Sequence, residues 1–320
     1  MRGARGGAAP SHPPYPITRS HATTTLTNAS ETALLPSELA ANGQPTFVIQ
    51  PTRGWRFLDL REIWAYRELV YFLTWRDIKV RYKQTAIGVA WAVIQPLAMM
   101  IVFTLFFGRL AKIPSEGVPY PIFAYVALLP WQLFSRTLSE TTNSLVTDQR
   151  LITRVYFPRI IVPLSATLAA LVDFLVSSAL LVVLMIIYGI APGAAVLLLP
   201  AFVLLMLVTS LGVGFWLSAL NLEYRDVAYV VPFLTQFWLF LTPVVYPSSM
   251  IPDYWRPLFG LNPMTGVVEG FRWALLGIGD GPSPMLLISA AFSVCLFLSG
   301  IIWFRYRERT FVDAVGSGGR

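Results

Sequence analysis

The stretch "IIVPLSATLAALVDFLVSSALLVVLMIIY" (160–188) decides the fold class. A hydrocarbon core of about 30 Å needs roughly 20 helical residues at about 1.5 Å each, and this run exceeds that with a single charge, Asp173. Only a helix satisfies its own backbone polar groups in lipid, so the segment reads as a membrane-spanning helix. Five further apolar runs match it: 86–107, 120–145, 194–220, 229–246 and 285–304. The sequence therefore predicts an all-α polytopic membrane protein with six transmembrane helices. Hydrophobic residues make up 55 % of the 320-residue chain and charged residues 13 %, in agreement; a soluble domain carries about 25 % charged residues.

The charges orient the six spans. Arg76, Lys79, Arg81 and Lys83 precede the first; Arg150, Arg154 and Arg159 follow the second; Arg225 follows the fourth; Arg305, Arg307 and Arg309 follow the sixth. The alternate connectors hold only Arg109, Lys112, Arg256 and Arg272. The positive-inside rule places both termini in the cytoplasm. The net charge of +7 is thus assigned to anionic membrane lipids, with no nucleic acid as partner.

Four regions follow. Residues 1–50 are rich in Pro, Ser, Thr, Ala and Gly without apolar period, and are expected to be a disordered cytoplasmic tail. His12 and His21 fall there and are not expected to bind metal. Residues 51–85 hold a charged helix, 86–304 the six spans, and 305–320 a cytoplasmic C-terminal tail. At about 100° per residue Glu68, Arg76, Lys79 and Lys83 fall within roughly an 80° arc, with Trp64, Val70, Leu73, Ile78 and Tyr82 on the broad opposite side. That is an N-terminal amphipathic interfacial helix. Arg67, Asp77 and Arg81 interrupt the apolar side, so either their stems snorkel or that side meets protein. Pro247–Pro284 is apolar yet cut by prolines, and is expected to form short re-entrant helices between spans five and six.

No phosphate-binding loop, metalloprotease helix or nucleophile elbow is present, which argues against an enzyme. Three ionisable residues lie within spans: Arg136, Glu140 and Asp173. Counted from the inner span ends, Arg136 and Asp173 differ in height by only about 6 Å, so they are placed to pair, with Glu140 competing one turn from Arg136. Such a cluster either fixes helix packing or contacts cargo. Glu269 and Arg272 are spaced to pair on one helix face. The lone Cys295 is expected to be a small core residue. Among the aromatics, Trp131, Phe134, Trp238, Tyr246 and Trp255 are candidates for a glycan path, because an aromatic face packs on a sugar ring while demanding few directional bonds; an interfacial belt is the other reading.

Four ordered blocks carry a resemblance: "ELVYFLTWRDIKVRYKQTAIGVAWAVIQPL" (68–97), "NSLVTDQRLITRVYFPRIIVPLSATLAALVDF" (143–174), "NLEYRDVAYVVPFLTQFWLFLTPVVYP" (221–247) and "LNPMTGVVEGFRWALLG" (261–277). Together they are similar to type-2 ABC exporter permeases of the polysaccharide-exporting Wzm, KpsM and TagG group. The resemblance implies a homodimer in the bacterial inner membrane and a separate ATP-binding subunit that holds the ATP and Mg. The cargo it implies is a polyprenyl-diphosphate-linked glycan. No cofactor is then expected on this chain. It further implies a coupling helix near 147–157, with Arg150, Arg154, Tyr156, Phe157 and Arg159 meeting the ATPase. It also implies a cytoplasmic gate that includes Trp75, Arg76, Lys79, Arg81, Tyr82 and Lys83. A permease for a lipid or drug, and less readily a membrane-embedded glycosyl or acyl transferase, remain alternatives.

Overall fold

The computed structural model describes residues 60–83, 88–279, 281 and 284–308. The tail at 1–50 with His12 and His21, and residues 309–320 with Arg309, lie outside the described residues. Every regular element among the described residues is helical. The described residues open with two helices, α1 (Leu60–Ala65) and α2 (Arg67–Lys83). Then come α3 (Ala90–Phe103), continued by a wider π-helical stretch Thr104–Leu110, α4 (Tyr120–Thr147), the short α5 (Gln149–Arg154) and α6 (Ile161–Ile187). A 3₁₀ turn, Ala194–Leu198, leads into α7 (Leu199–Glu223), followed by α8 (Val227–Leu241), α9 (Arg256–Gly260), α10 (Pro263–Leu276) and α11 (Pro284–Glu308).

Helices thus occupy all six places where the sequence predicts spans. Among the described residues four segments are long and apolar enough to cross a membrane: Ala90–Leu110, Ile161–Ile187, Ala194–Glu223 and Leu286–Glu308. The chain is a multi-pass membrane protein. α8 has only 15 residues. α4 has 28 residues but is too polar in composition, and its position explains why. It packs against α6, α7, α8 and α10, and each residue from Ile122 to Leu129 is 2 % exposed or less. A helix surrounded by helices need not match lipid. The hydroxyls and amides at its interfaces bond across them. Thr141 lies 3.4 Å from Thr167, and Tyr125 donates to the Ser177 carbonyl at 2.9 Å. Asn221 donates to the Thr142 carbonyl at 3.0 Å. Such bonds between membrane helices average about 0.6 kcal/mol.

α7 and α11 approach most closely at two glycines. A Cβ on Gly300 would lie 2.3 Å from the Gly212 carbonyl oxygen, and one on Gly212 only 2.7 Å from the Phe297 nitrogen. Beside this crossing Trp216 and Trp303 stack at 4.7 Å. Cys295 is exposed, which corrects its expected place in the core. It lies on an outward stretch of α11, and a small thiol is at home on an apolar surface.

The predicted fifth span breaks early. α8 ends at Leu241, where Thr242 turns extended and Pro243 cannot continue the hydrogen-bond ladder. The carbonyls freed by this break are taken by Arg272 of α10, which is 3 % exposed. Its Nη1 donates to Pro243 O at 2.7 Å and Tyr246 O at 3.2 Å, and its Nη2 to Val244 O at 2.8 Å. The guanidinium also sits 3.7 Å from the centre of the Phe123 ring. The expected Glu269–Arg272 pair therefore does not form: a guanidinium offers a planar fork, and three unpaired carbonyls match it better than one carboxylate does.

The glycine crossing generates a test. Gly300→Leu forces a side chain into backbone. Overpacking typically costs about 1–3 kcal/mol, and here no flexible side chain can yield. The detergent-solubilised variant is expected to melt several degrees below the wild type, whereas Cys295→Ser, on the outward surface, leaves the midpoint in place.

Candidate functional site

The chain concentrates its buried charge where α2, α4 and α6 meet. Asp173 of α6 is 4 % exposed, an expensive place for a carboxylate unless it is paired. Its Oδ2 accepts a hydrogen bond from Arg81 Nη1 of α2 at 2.6 Å and forms an ion pair with Arg136 Nη1 of α4 at 2.9 Å. Glu140, one turn beyond Arg136, accepts Arg136 Nε at 3.1 Å and is also bonded by Arg81 Nη2. Two guanidinium groups and two carboxylates make a neutral square in which each carboxylate is held by both arginines. Burial pulls the Arg81 pKa down, and Glu140 and Asp173 together outweigh it, so the net shift is upward and the charge is retained. Beside the square lies a cleft of about 30 Å³, lined by Gln95, Gln132, Arg136, Asp173 and Ser177 among others. It has room for water but not for a sugar.

The Arg136–Asp173 pair and the competing Glu140 lie where the helix heights predict. Arg81 was not expected there, and its place follows from how α2 packs. Val70, Leu73 and Arg81 of α2 face the protein, and Thr74 donates to the Ser165 carbonyl at 3.5 Å. Of the two readings of this side of α2, it is the one in which the side meets protein that holds: it packs against α6, which is what brings Arg81 inside. The outward side carries aromatics together with charge: Tyr71, Phe72, Trp75, Lys79 and Lys83 are exposed, as is Trp64 of α1. Lys79 sits over the Trp75 ring at 5.2 Å. Tyr82 is half-buried.

Near the junction of α4 and α5, Arg76 Nη2 donates to Asp148 Oδ2 at 2.7 Å and to Asp77 Oδ1 at 2.8 Å. The hydrogen bond that Arg76 donates to Asp148 is foremost in raising the Arg76 pKa; burial opposes it, and Asp77 adds to it. Asp148 is the residue between the two helices. Along the following segment Arg150, Arg154 and Tyr156 are exposed, the last by 79 %. Phe157 and Arg159 do not join them. Phe157 is buried with Leu145, Ile160 and Ile161, so it anchors the segment instead of presenting it. The Arg159 backbone N–H donates to Glu308 Oε1 at 3.0 Å, and its guanidinium bonds the Glu308 carbonyl. Arg307 similarly holds Glu223 at 3.1 Å.

The aromatic candidates separate too. Trp131 and Phe134 are buried, and Phe134 meets Trp238 edge-on at 5.0 Å, so both are core side chains of this chain. Aromatic identity alone cannot tell core from cavity wall. Trp238 and Tyr246 are half-buried and Trp255 is 47 % exposed. A different stripe stands out on α8. Tyr229, Phe233, Phe237 and Phe240 are 81 %, 72 %, 62 % and 49 % exposed. Their spacing of four, four and three puts them on one face, a signal legible in the sequence.

The sequence that builds this arrangement belongs to a known class. The family model for the ABC-2 type transporter matches residues 68–276, and the chain belongs to that family. It is 31 % identical over 259 residues to the O-antigen export system permease protein RfbA of Myxococcus xanthus, covering 80 % of this chain and 98 % of that protein. It is 28 % identical over 206 residues to the RfbA of Klebsiella pneumoniae, covering 64 % and 79 %. It is 26 % identical over 247 residues to the polysialic acid transport protein KpsM of Escherichia coli, covering 75 % and 93 %.

Asp173→Asn leaves two guanidinium groups sharing Glu140. Removing one partner of a buried pair costs about 3–5 kcal/mol. The thermal midpoint and membrane accumulation are expected to fall, and Asp173→Asn combined with Arg136→Gln, which restores neutrality, to recover part of the loss in the same melting assay.

Proposed function

We propose that this chain is the transmembrane subunit of an exporter that moves a lipid-linked polysaccharide, of O-antigen or capsule type, from the cytoplasm across the bacterial inner membrane. The similarity over 98 % of an O-antigen export permease is the observation that carries this reading. The chain has no phosphate-binding loop, so ATP and Mg belong to a separate ATP-binding subunit. In this reading all six helices cross, both termini are cytoplasmic, and α9 and α10 re-enter the outer leaflet. α2 lies along the inner surface with its aromatic and basic side toward lipid headgroups.

The exposed residues of the α5 segment, Arg150, Arg154 and Tyr156, dock on the ATP-binding subunit. An exposed aromatic flanked by guanidinium groups suits a pocket with an acidic rim. Two copies of the chain enclose the path, and the α8 stripe, Tyr229 to Phe240, offers the glycan a surface of aromatic faces. ATP closes the motor, the docked segments move, and the path opens; only a difference in motor affinity between the two states drives the change.

Deleting this chain is expected to abolish glycan at the cell surface, read by immunoblot, while lipid-linked glycan accumulates inside. A triple variant, Arg150→Glu, Arg154→Glu and Tyr156→Ala, is expected to lose at least ten-fold of the co-purified ATP-binding subunit. Surface glycan that persists after deletion, or export by the chain without a motor, overturns the reading.

A further inference from the structure

We propose that α2 is a transmission arm held at two points: Arg76–Asp148 takes up the motion of the α5 segment, and Arg81 delivers it to Glu140 and Asp173 between α4 and α6. The inference rests on the function proposed above and adds the contacts through which the motor's movement travels.

The geometry has three parts. First, Asp148 is at a bend. It closes α4, opens α5, and has φ −97° and ψ 20°, off the helical values on either side. A push on α5 turns about this residue, and Arg76 grips its carboxylate at 2.7 Å. Second, Arg76 and Arg81 belong to one unbroken helix. They are about 7.5 Å apart in rise and about 140° apart around the axis, so one reaches the bend and the other enters the cleft between α4 and α6. A helix transmits displacement along its length because its hydrogen-bond ladder does not stretch.

Third, the square can lose Arg81 without collapse. Arg136 alone bonds both Glu140, at 3.1 Å, and Asp173, at 2.9 Å. When Arg81 withdraws, Arg136 still lies beside both carboxylates, so one negative charge and not two is left uncompensated. Without Arg136, every departure of α2 would leave two buried carboxylates uncompensated, a penalty large enough to lock the helix in place. Arg81 is thus the releasable member and Arg136 the resident one. All four are positioning residues, since none needs to touch cargo.

The two contacts act in series, and this separates transmission from simple support. The test uses the complete exporter, this chain with its ATP-binding subunit, in cells lacking the chromosomal copy, and reads surface glycan per ATP hydrolysed. Arg76→Glu, Asp148→Arg and Arg81→Gln are each expected to assemble with the motor and to hydrolyse ATP, yet to export at least ten-fold less glycan per ATP. Combining Arg76→Glu with Asp148→Arg rebuilds the pair in reverse and is expected to restore at least half of the export; Arg76→Lys keeps most of it. Combining Arg76→Glu with Arg81→Gln is expected to be no worse than either alone, because a chain cut twice transmits no less than a chain cut once.

Four results overturn the proposal: single variants that export at the wild-type ratio, a reversed pair no better than its halves, losses that multiply in the Arg76–Arg81 double variant, or single variants that vanish from the membrane, which makes the pair a folding contact. Failure of the wild-type chain to co-purify with any ATP-binding subunit is a separate result. It removes the proposed function, and this inference with it.

Discussion

A carboxylate at the middle of a helix bundle dictates much of what surrounds it. Asp173 is buried in α6, and removing it from water is tolerable only if cations come to it. Two do, from different helices, and Glu140 balances the second. Holding those four groups together requires α2 to lie against α6 and α4 to run between α6 and α7. The polar composition of α4 then ceases to be a defect. A helix that lipid would reject is the one the other helices enclose, and its Thr141 and Tyr125 hydroxyls bond across those interfaces.

Much of this was legible in the chain. Runs of apolar residues mark helices because the bilayer sets their length, and the helices α3, α4, α6, α7, α8 and α11 begin within about five residues of the expected places. The Arg136–Asp173 pairing followed from height alone, since both side chains are fixed to helices of known rise. What failed depends on which face of a helix meets a neighbour. Arg81 interrupts the apolar side of α2, and the sequence leaves open whether its stem snorkels or that side meets protein; it enters the square because Val70 and Leu73 turn that side inward. Phe157, Trp131 and Phe134 read as contact residues by type, but they are core residues by position. Arg272 and Glu269 had the spacing of a pair; the break after Leu241, remote in sequence and so absent from the local pattern, offered the arginine a better set of acceptors.

The α8 stripe illustrates the opposite case. Tyr229, Phe233, Phe237 and Phe240 sit at helical spacing and could have been picked out from the sequence, but richer aromatic clusters in α4 drew attention away from them. Exposure, not abundance, separates the two sets. Large rings left open on a helix that packs its other side against α4 need a covering of lipid, a second copy, or cargo.

The clamp at the end of α8 has a consequence for insulation. Broken helices in membranes are commonly rescued by solvent, which brings a thread of water that ions and protons can follow. Here a guanidinium fork fills that role and an aromatic ring closes over it. The gap in the helix is filled by protein, so the interrupted wall needs no column of solvent to satisfy its carbonyls.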